Sequence, residues 1–179
     1  MPSRYRVPAG WLVGLAVLAL ARPTPVWLLA GVPLAFFGEA LRLWASGHIE
    51  KTKRLATGGP YAHSRNPLYL GSVLIALGVA VACASPWVLL AVAAYFLAFY
   101  PAVMREEAAF LACKFPPEYA GWAAAVPLFG PRPTPAGPRD SRFEWARVRA
   151  NREWRTALAL PLLAALLLLL PHLRASLGF

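Results

Sequence analysis

Long runs almost free of charge restrict this chain more than any other feature. Residues 7–21, 26–46, 67–84, 86–104 and 156–173 are predominantly apolar, and among them only 26–46 carries charge, at Glu39 and Arg42. A bilayer-spanning helix needs about 20 mainly apolar residues, with a range of about 17–25. The last four runs meet that length. The first is short and reads either as a retained helix helped by Arg22 reaching to the interface or as a signal peptide behind Arg4 and Arg6. The retained helix fits better, because Ala19-Leu20-Ala21 is followed by Arg22-Pro23-Thr24-Pro25, a poor cleavage site. The fold class expected is all-α, a polytopic integral membrane protein with about five transmembrane helices.

The chain holds 18 Lys and Arg against 8 Asp and Glu, a formal charge of +10. In a soluble protein this excess would suggest nucleic acid. Between apolar helices it reads as the positive-inside bias, and no nucleic-acid partner is expected. Lys51, Lys53, Arg54 and Arg65 fall between the second and third apolar runs, and most other basic residues fall between the fourth and fifth. Five crossings with a cytoplasmic N-terminus put these groups, with Arg4 and Arg6, in the cytosol, leaving Arg22 and Arg174 outside. Cys83 and Cys113 then lie on opposite sides, so no disulfide is expected. Neither belongs to a Cys/His spacing that suggests a metal.

Punctuation divides the chain into residues 1–46 (two helices), 47–131 (a basic loop, a helical hairpin and a helix extension), 132–155 (a Pro-rich connector and a basic interfacial helix) and 156–179 (a last helix). Ser85-Pro86 makes a tight hairpin of the third and fourth helices. Gly71 and Gly78, seven apart, share a face and permit close helix approach. The fourth helix should run past the membrane surface through Arg105-Glu106-Glu107 until Pro116-Pro117 stops it. Residues 141–155 mix Arg with Phe143, Trp145, Val148 and Trp154, as an interfacial helix does.

Polar residues gather at the cytosolic face. Gly58-Gly59-Pro60 is a turn, and Asn66-Pro67 is a helix start with Asn as cap and Pro at the first position. Tyr61, His63, Arg65 and Tyr69 crowd the same turn, where unpaired helix N–H groups favour a carboxylate or phosphate. Adjacent helix residues point about 100° apart, so Glu106 and Glu107 cannot both face one ligand equally. Glu39 and Arg42, at i and i+3, read as a self-contained ion pair.

Taken together, these pieces carry a family resemblance. Arg65-Asn66-Pro67-Leu68-Tyr69-Leu70-Gly71 resembles the R-H-P-x-Y-x-G signature of the isoprenylcysteine carboxyl methyltransferases, and Leu55-Ala56-Thr57-Gly58-Gly59-Pro60-Tyr61 resembles its lead-in. Glu106-Glu107, Phe115-Pro116-Pro117-Glu118-Tyr119 and Val126-Pro127 resemble the family's ending. The resemblance covers about residues 47–131. Asn66 stands where the carboxyl methyltransferases usually have His; the similar phospholipid N-methyltransferase branch can have Asn there. The family's substrate-gripping Arg would fall near Val103, where this chain has none.

The resemblance implies a membrane-embedded methyltransferase that uses S-adenosylmethionine and releases S-adenosylhomocysteine. The cofactor would sit in a cytosol-facing pocket, and a lipophilic acceptor would enter from the bilayer. The implied cofactor contacts are Lys53, Arg54, Leu55, Ala56, Tyr61, Asn66, Pro67, Leu68, Tyr69 and Glu107. Among the residues given to the reaction itself, Glu107 serves cofactor recognition and Arg105 an anionic acceptor group. The partners expected are membrane lipids and a lipophilic or lipidated acceptor, either a carboxylate or a phospholipid amine. The rival readings are an NADPH-dependent membrane reductase of related architecture and a non-enzymatic membrane scaffold.

Overall fold

The computed structural model describes residues 5–50, 54–136 and 142–177. Among the described residues seven α-helices follow one another: α1 Arg6–Leu20, α2 Pro25–Ser46, α3 Pro67–Ala82, α4 Pro86–Lys114, α5 Pro116–Ala125, α6 Trp145–Ala150 and α7 Trp154–Leu177. A 3-10 turn, Gly59–Ala62, precedes α3, and there is no strand among the described residues. Proline opens α2, α3, α4 and α5. Its missing N–H costs nothing at a position where helix donors are unpaired anyway.

Among the described residues three helices, α2, α4 and α7, are long and apolar enough to cross a membrane. With 15 and 16 residues, α1 and α3 are apolar but shorter, about 22–24 Å against a hydrocarbon core of about 30 Å. The 29 residues of α4 run about 44 Å, so it outreaches the bilayer as its sequence suggests, and Pro116 ends it by starting α5. Trp27 and Trp87 are exposed at one end of the bundle, and Trp44, Trp145 and Trp154 at the other, where amphipathic rings favour the membrane–water boundary.

The tightest seam joins α2 to α3. Gly31 and Gly38 on α2 face Gly78 and Gly71 on α3: a Cβ on Gly31 would lie 2.3 Å from the Gly78 oxygen, and one on Gly38 would lie 2.7 Å from the Gly71 oxygen. In lipid the gain comes from close packing rather than water exclusion, so small residues are what bring the backbones together. Towards the α3–α4 hairpin, Leu28, Cys83, Val88, Val92 and Leu167 form a buried cluster. At the opposite end Ala45, Tyr61, Tyr119, Trp122 and Val126 form another.

This second end is assembled by returning chain. The Arg65 and Arg132 N–H groups donate to the oxygens of Pro127 and His63, both at 2.9 Å, and Ala136 N–H donates to Ala62 O at 2.9 Å. The Pro-rich connector is therefore strapped along the 3-10 turn as far as it is described; residues 137–141 lie outside the described residues. Instead of one interfacial helix over 141–155, α6 covers six residues, and the chain breaks at Arg152, whose φ of 59° is left-handed. Asn151 Nδ2 donates to Ser46 O (2.9 Å) and Ile49 O (3.2 Å), fastening this break to the end of α2.

Candidate functional site

A cavity of about 760 Å³ opens where α2 ends, α3 begins and α4 projects. Its size falls within the range of about 300–1,000 Å³ usual for small-molecule sites. Arg54, Leu55 and Ala56 line it from the loop after α2, and Tyr61 lines it from the 3-10 turn. Asn66, Pro67, Leu68 and Tyr69 line it from the start of α3, and Glu107 from α4. Lys53 lies outside the described residues. Arg105 is exposed and does not line the cavity. It precedes Glu107 by two positions, about 200° around the helix, so a wall that includes Glu107 leaves it out.

The Tyr69 hydroxyl donates to Glu107 Oε2 at 2.9 Å, and the Tyr69 ring meets Tyr100 edge-on at 5.4 Å. Glu106 is not in the wall. Asn66 occupies the cap position of α3, but its side chain makes no capping bond. Its Nδ2 donates instead to Leu128 O at 2.9 Å, while its own N–H donates to Ser64 Oγ at 3.2 Å. The side chain thus ties the helix start to the segment after α5. The first N–H groups of α3 have no intrahelical acceptor by position.

Two polar groups in this wall are buried without partners. The Tyr61 hydroxyl is one; its backbone oxygen accepts from Trp122 Nε1 at 2.9 Å, which fixes the residue in place. Burial, and secondarily the negative charge of Glu107, push the Tyr61 phenol well above the ordinary tyrosine value. It therefore stays a neutral donor. Arg65 Nε is the other, although Arg65 Nη1 donates to the Tyr119 hydroxyl at 3.0 Å. Orphaned buried donors cost roughly 1–3 kcal/mol each, a cost that an acceptor group on a ligand would remove.

Sequence reasoning missed several wall residues: Arg6, Arg42, Ser72, Asn151 and Glu153. Glu39 does approach Arg42, at 4.0 Å, but the pair is not self-contained. Arg42 Nε and Nη2 both reach Glu153 Oε1 at 2.6 Å. Its Nη1 donates to Ser72 Oγ and, at 3.3 Å, to Leu68 O. Neither oxygen of the buried Glu39 carboxylate has a hydrogen-bond partner. The available signal was the rarity of ions in an apolar helix; the partner 111 residues away had no local signature. Among the described residues, five cationic side chains (Arg6, Arg42, Arg54, Arg65, Lys114) and three anionic ones (Glu50, Glu107, Glu153) face this space. Among the described residues, no three His, Cys, Asp or Glu side chains group as a metal site.

The cavity, the helix start and the Tyr69–Glu107 contact belong to one stretch of chain, and that stretch has relatives. Residues 36–118 match the phospholipid methyltransferase family. The match runs from within α2 to the first turn of α5, and so contains every described residue that the sequence motifs assigned to the cofactor. It agrees with the membrane methyltransferase resemblance read from the motifs. The chain is also 42% identical over 104 residues to the cobalt-zinc-cadmium resistance protein CzcN of Cupriavidus metallidurans, an alignment covering 57% of this chain and 46% of that protein. It is 32% identical over 146 residues to the nickel-cobalt-cadmium resistance protein NccN of Alcaligenes xylosoxydans, covering 73% of this chain and 66% of that protein. The chain thus spans 46% and 66% of the lengths of these two curated relatives. No solved structure matches it.

Proposed function

We propose that this chain is a membrane-embedded, S-adenosylmethionine-dependent methyltransferase acting on a lipophilic acceptor. The carrying observation is convergence: one cavity at the end of an apolar bundle is walled by the motif residues of a segment that matches a methyltransferase family. The chemistry of the wall fits the cofactor. The orphaned Tyr61 hydroxyl and Arg65 Nε, with the open first turn of α3, supply donors for a carboxylate. Glu107, held by Tyr69, supplies an acceptor for ribose hydroxyls or an amine. Arg54, Leu55 and Ala56 form the flank of the cavity along the loop after α2.

When bound, the cofactor supplies a methyl group on a sulfonium, which a nucleophile takes by in-line displacement. The task of the protein is then alignment, which supplies much of the rate in such reactions. Tyr61 and Tyr69 wall the reacting space and keep water from it. No general base is required for a carboxylate acceptor, so Glu107 acts in cofactor recognition. An amine acceptor would have to arrive neutral. In this reading α1 and α3 complete five crossings, the N-terminus and the cavity face the cytosol, and residues 47–131 form the methyltransferase core, flanked by 1–46, 132–155 and 156–179.

The test is calorimetric titration of S-adenosylmethionine into the full chain in detergent. Glu107→Ala and Tyr69→Ala should each weaken binding about tenfold or more, as expected for a lost hydrogen bond to a charged group. Unchanged affinity in both would remove the site. The relatives' names add a corollary: metal resistance conferred by this chain would depend on methyl transfer, so a host carrying Glu107→Ala should be as sensitive to cobalt and cadmium as one lacking the chain.

A further inference from the structure

Two of the wall residues that sequence reasoning missed, Arg42 and Ser72, lie deeper than the motif residues. Arg42 is four residues before the end of α2, and Ser72 is five residues into α3, so their contact sits about one turn further into the bundle than the Asn66–Tyr69 group. A lipid entering from the bilayer would meet this level with its polar group while its reactive atom reached toward Tyr69. A guanidinium at that depth suits a carboxylate or phosphate.

Glu153 now holds that guanidinium. The contact is a substitutable one, because a single carboxylate oxygen, Oε1, bridges Arg42 Nε and Nη2, rather than the two parallel bonds of a bidentate pair. Glu153 lies outside the family-matching residues 36–118 and directly follows the left-handed Arg152. Removing one partner of a buried pair normally strands a charge. Here Glu39 lies 4.0 Å from Arg42 with both oxygens buried and unbonded, so a second carboxyl group stays beside Arg42 when Glu153 leaves.

We propose that Arg42 anchors an anionic group, carboxylate or phosphate, of the lipid acceptor, and that Glu153 is an internal carboxylate which occupies the anchor until the acceptor displaces it. The proposal rests on the methyltransferase reading only in calling the ligand an acceptor. It moves the anchoring role from Arg105 to Arg42 and makes the segment after α5 a determinant of acceptor choice.

The test uses the full chain in neutral detergent, with hexyl phosphate and hexanoate as probes, hexylamine and inorganic phosphate as comparisons, and ligand-observed NMR for affinity. Glu153→Gln should tighten both alkyl anions about fivefold or more, and Arg42→Gln should weaken them about tenfold, with partial recovery in Arg42→Lys. Hexylamine should gain nothing. Affinities unchanged or weakened in a folded Glu153→Gln overturn the exchange. If that variant does not fold, unchanged binding in Arg42→Gln overturns it and the expected loss supports the anchor. Inorganic phosphate competing as well as hexyl phosphate overturns the lipid assignment. S-adenosylmethionine affinity, titrated in the same samples, reports separately on the methyltransferase reading.

Discussion

The two ends of the helix bundle use arginine in opposite ways. At the hairpin end, Arg174 of α7 donates to the oxygens of Ala21, Leu18 (2.9 Å) and Ala19 (3.1 Å). These are carbonyls left open where α1 terminates, so the guanidinium closes a helix end. At the cavity end, Arg42 is shared among Glu153, Ser72 and Leu68, and Arg65 leaves its buried Nε unpartnered. Size does not separate the two ends: a depression of about 640 Å³ lined by Ala19, Arg22, Pro23, Pro171 and Arg174 lies at the first, a cavity of about 760 Å³ at the second. What separates them is unspent bonding capacity. Polar groups fully used by the backbone hold a fold together; polar groups left short beside an open space are available to a ligand.

The strongest challenge to this contrast is to disturb what both ends share. Gly38→Val would drive a Cβ to within 2.7 Å of the Gly71 oxygen, and neither backbone can yield without opening the α2–α3 seam. A loss of about 3 kcal/mol is expected, measured by thermal unfolding in detergent, with alkyl-anion binding lost as well because Arg42 and Ser72 sit on the two separated helices. A smaller effect sharpens the contrast. Arg174→Ala should cost about 1 kcal/mol of stability and leave S-adenosylmethionine affinity unchanged; an altered affinity would show that the two ends are coupled.

The smallest effect concerns pH. Because burial raises the Tyr61 phenol above its ordinary value, its contribution to stability is fully present below the unfolded value of about 10. That contribution is lost as pH rises beyond it, when the unfolded chain releases its proton first. Tyr61→Phe should flatten the decline in melting temperature above about pH 10, while raising stability near neutrality because the orphaned hydroxyl is gone.

The division between what was and was not legible in the sequence follows the range of the forces involved. Helix starts at Pro67, Pro86 and Pro116, the long reach of α4 and the hairpin at Ser85-Pro86 are local consequences of proline and hydropathy, and they were readable. The gathering of Tyr61, Asn66, Tyr69 and Glu107 was readable through their motifs. The partners of buried ions were not. Glu39 and Arg42 looked sufficient to each other at i and i+3, and nothing near Glu153, in a segment dominated by arginine, marked it as the nearer partner. Asn66 was assigned a cap by the ordinary preference of its type, yet a tertiary acceptor, Leu128 O, claimed its side chain. The span count was only partly readable: α1 and α3 are apolar, but their lengths fall short of the bilayer.

The most direct test of the central claim is transfer of tritium from methyl-labelled S-adenosylmethionine into a total lipid and protein extract by membranes containing the chain. The expected result is a labelled species extracted into organic solvent, absent when the membranes carry Glu107→Ala. Equal labelling by the wild type and that variant, or label confined to water-soluble products, would contradict it.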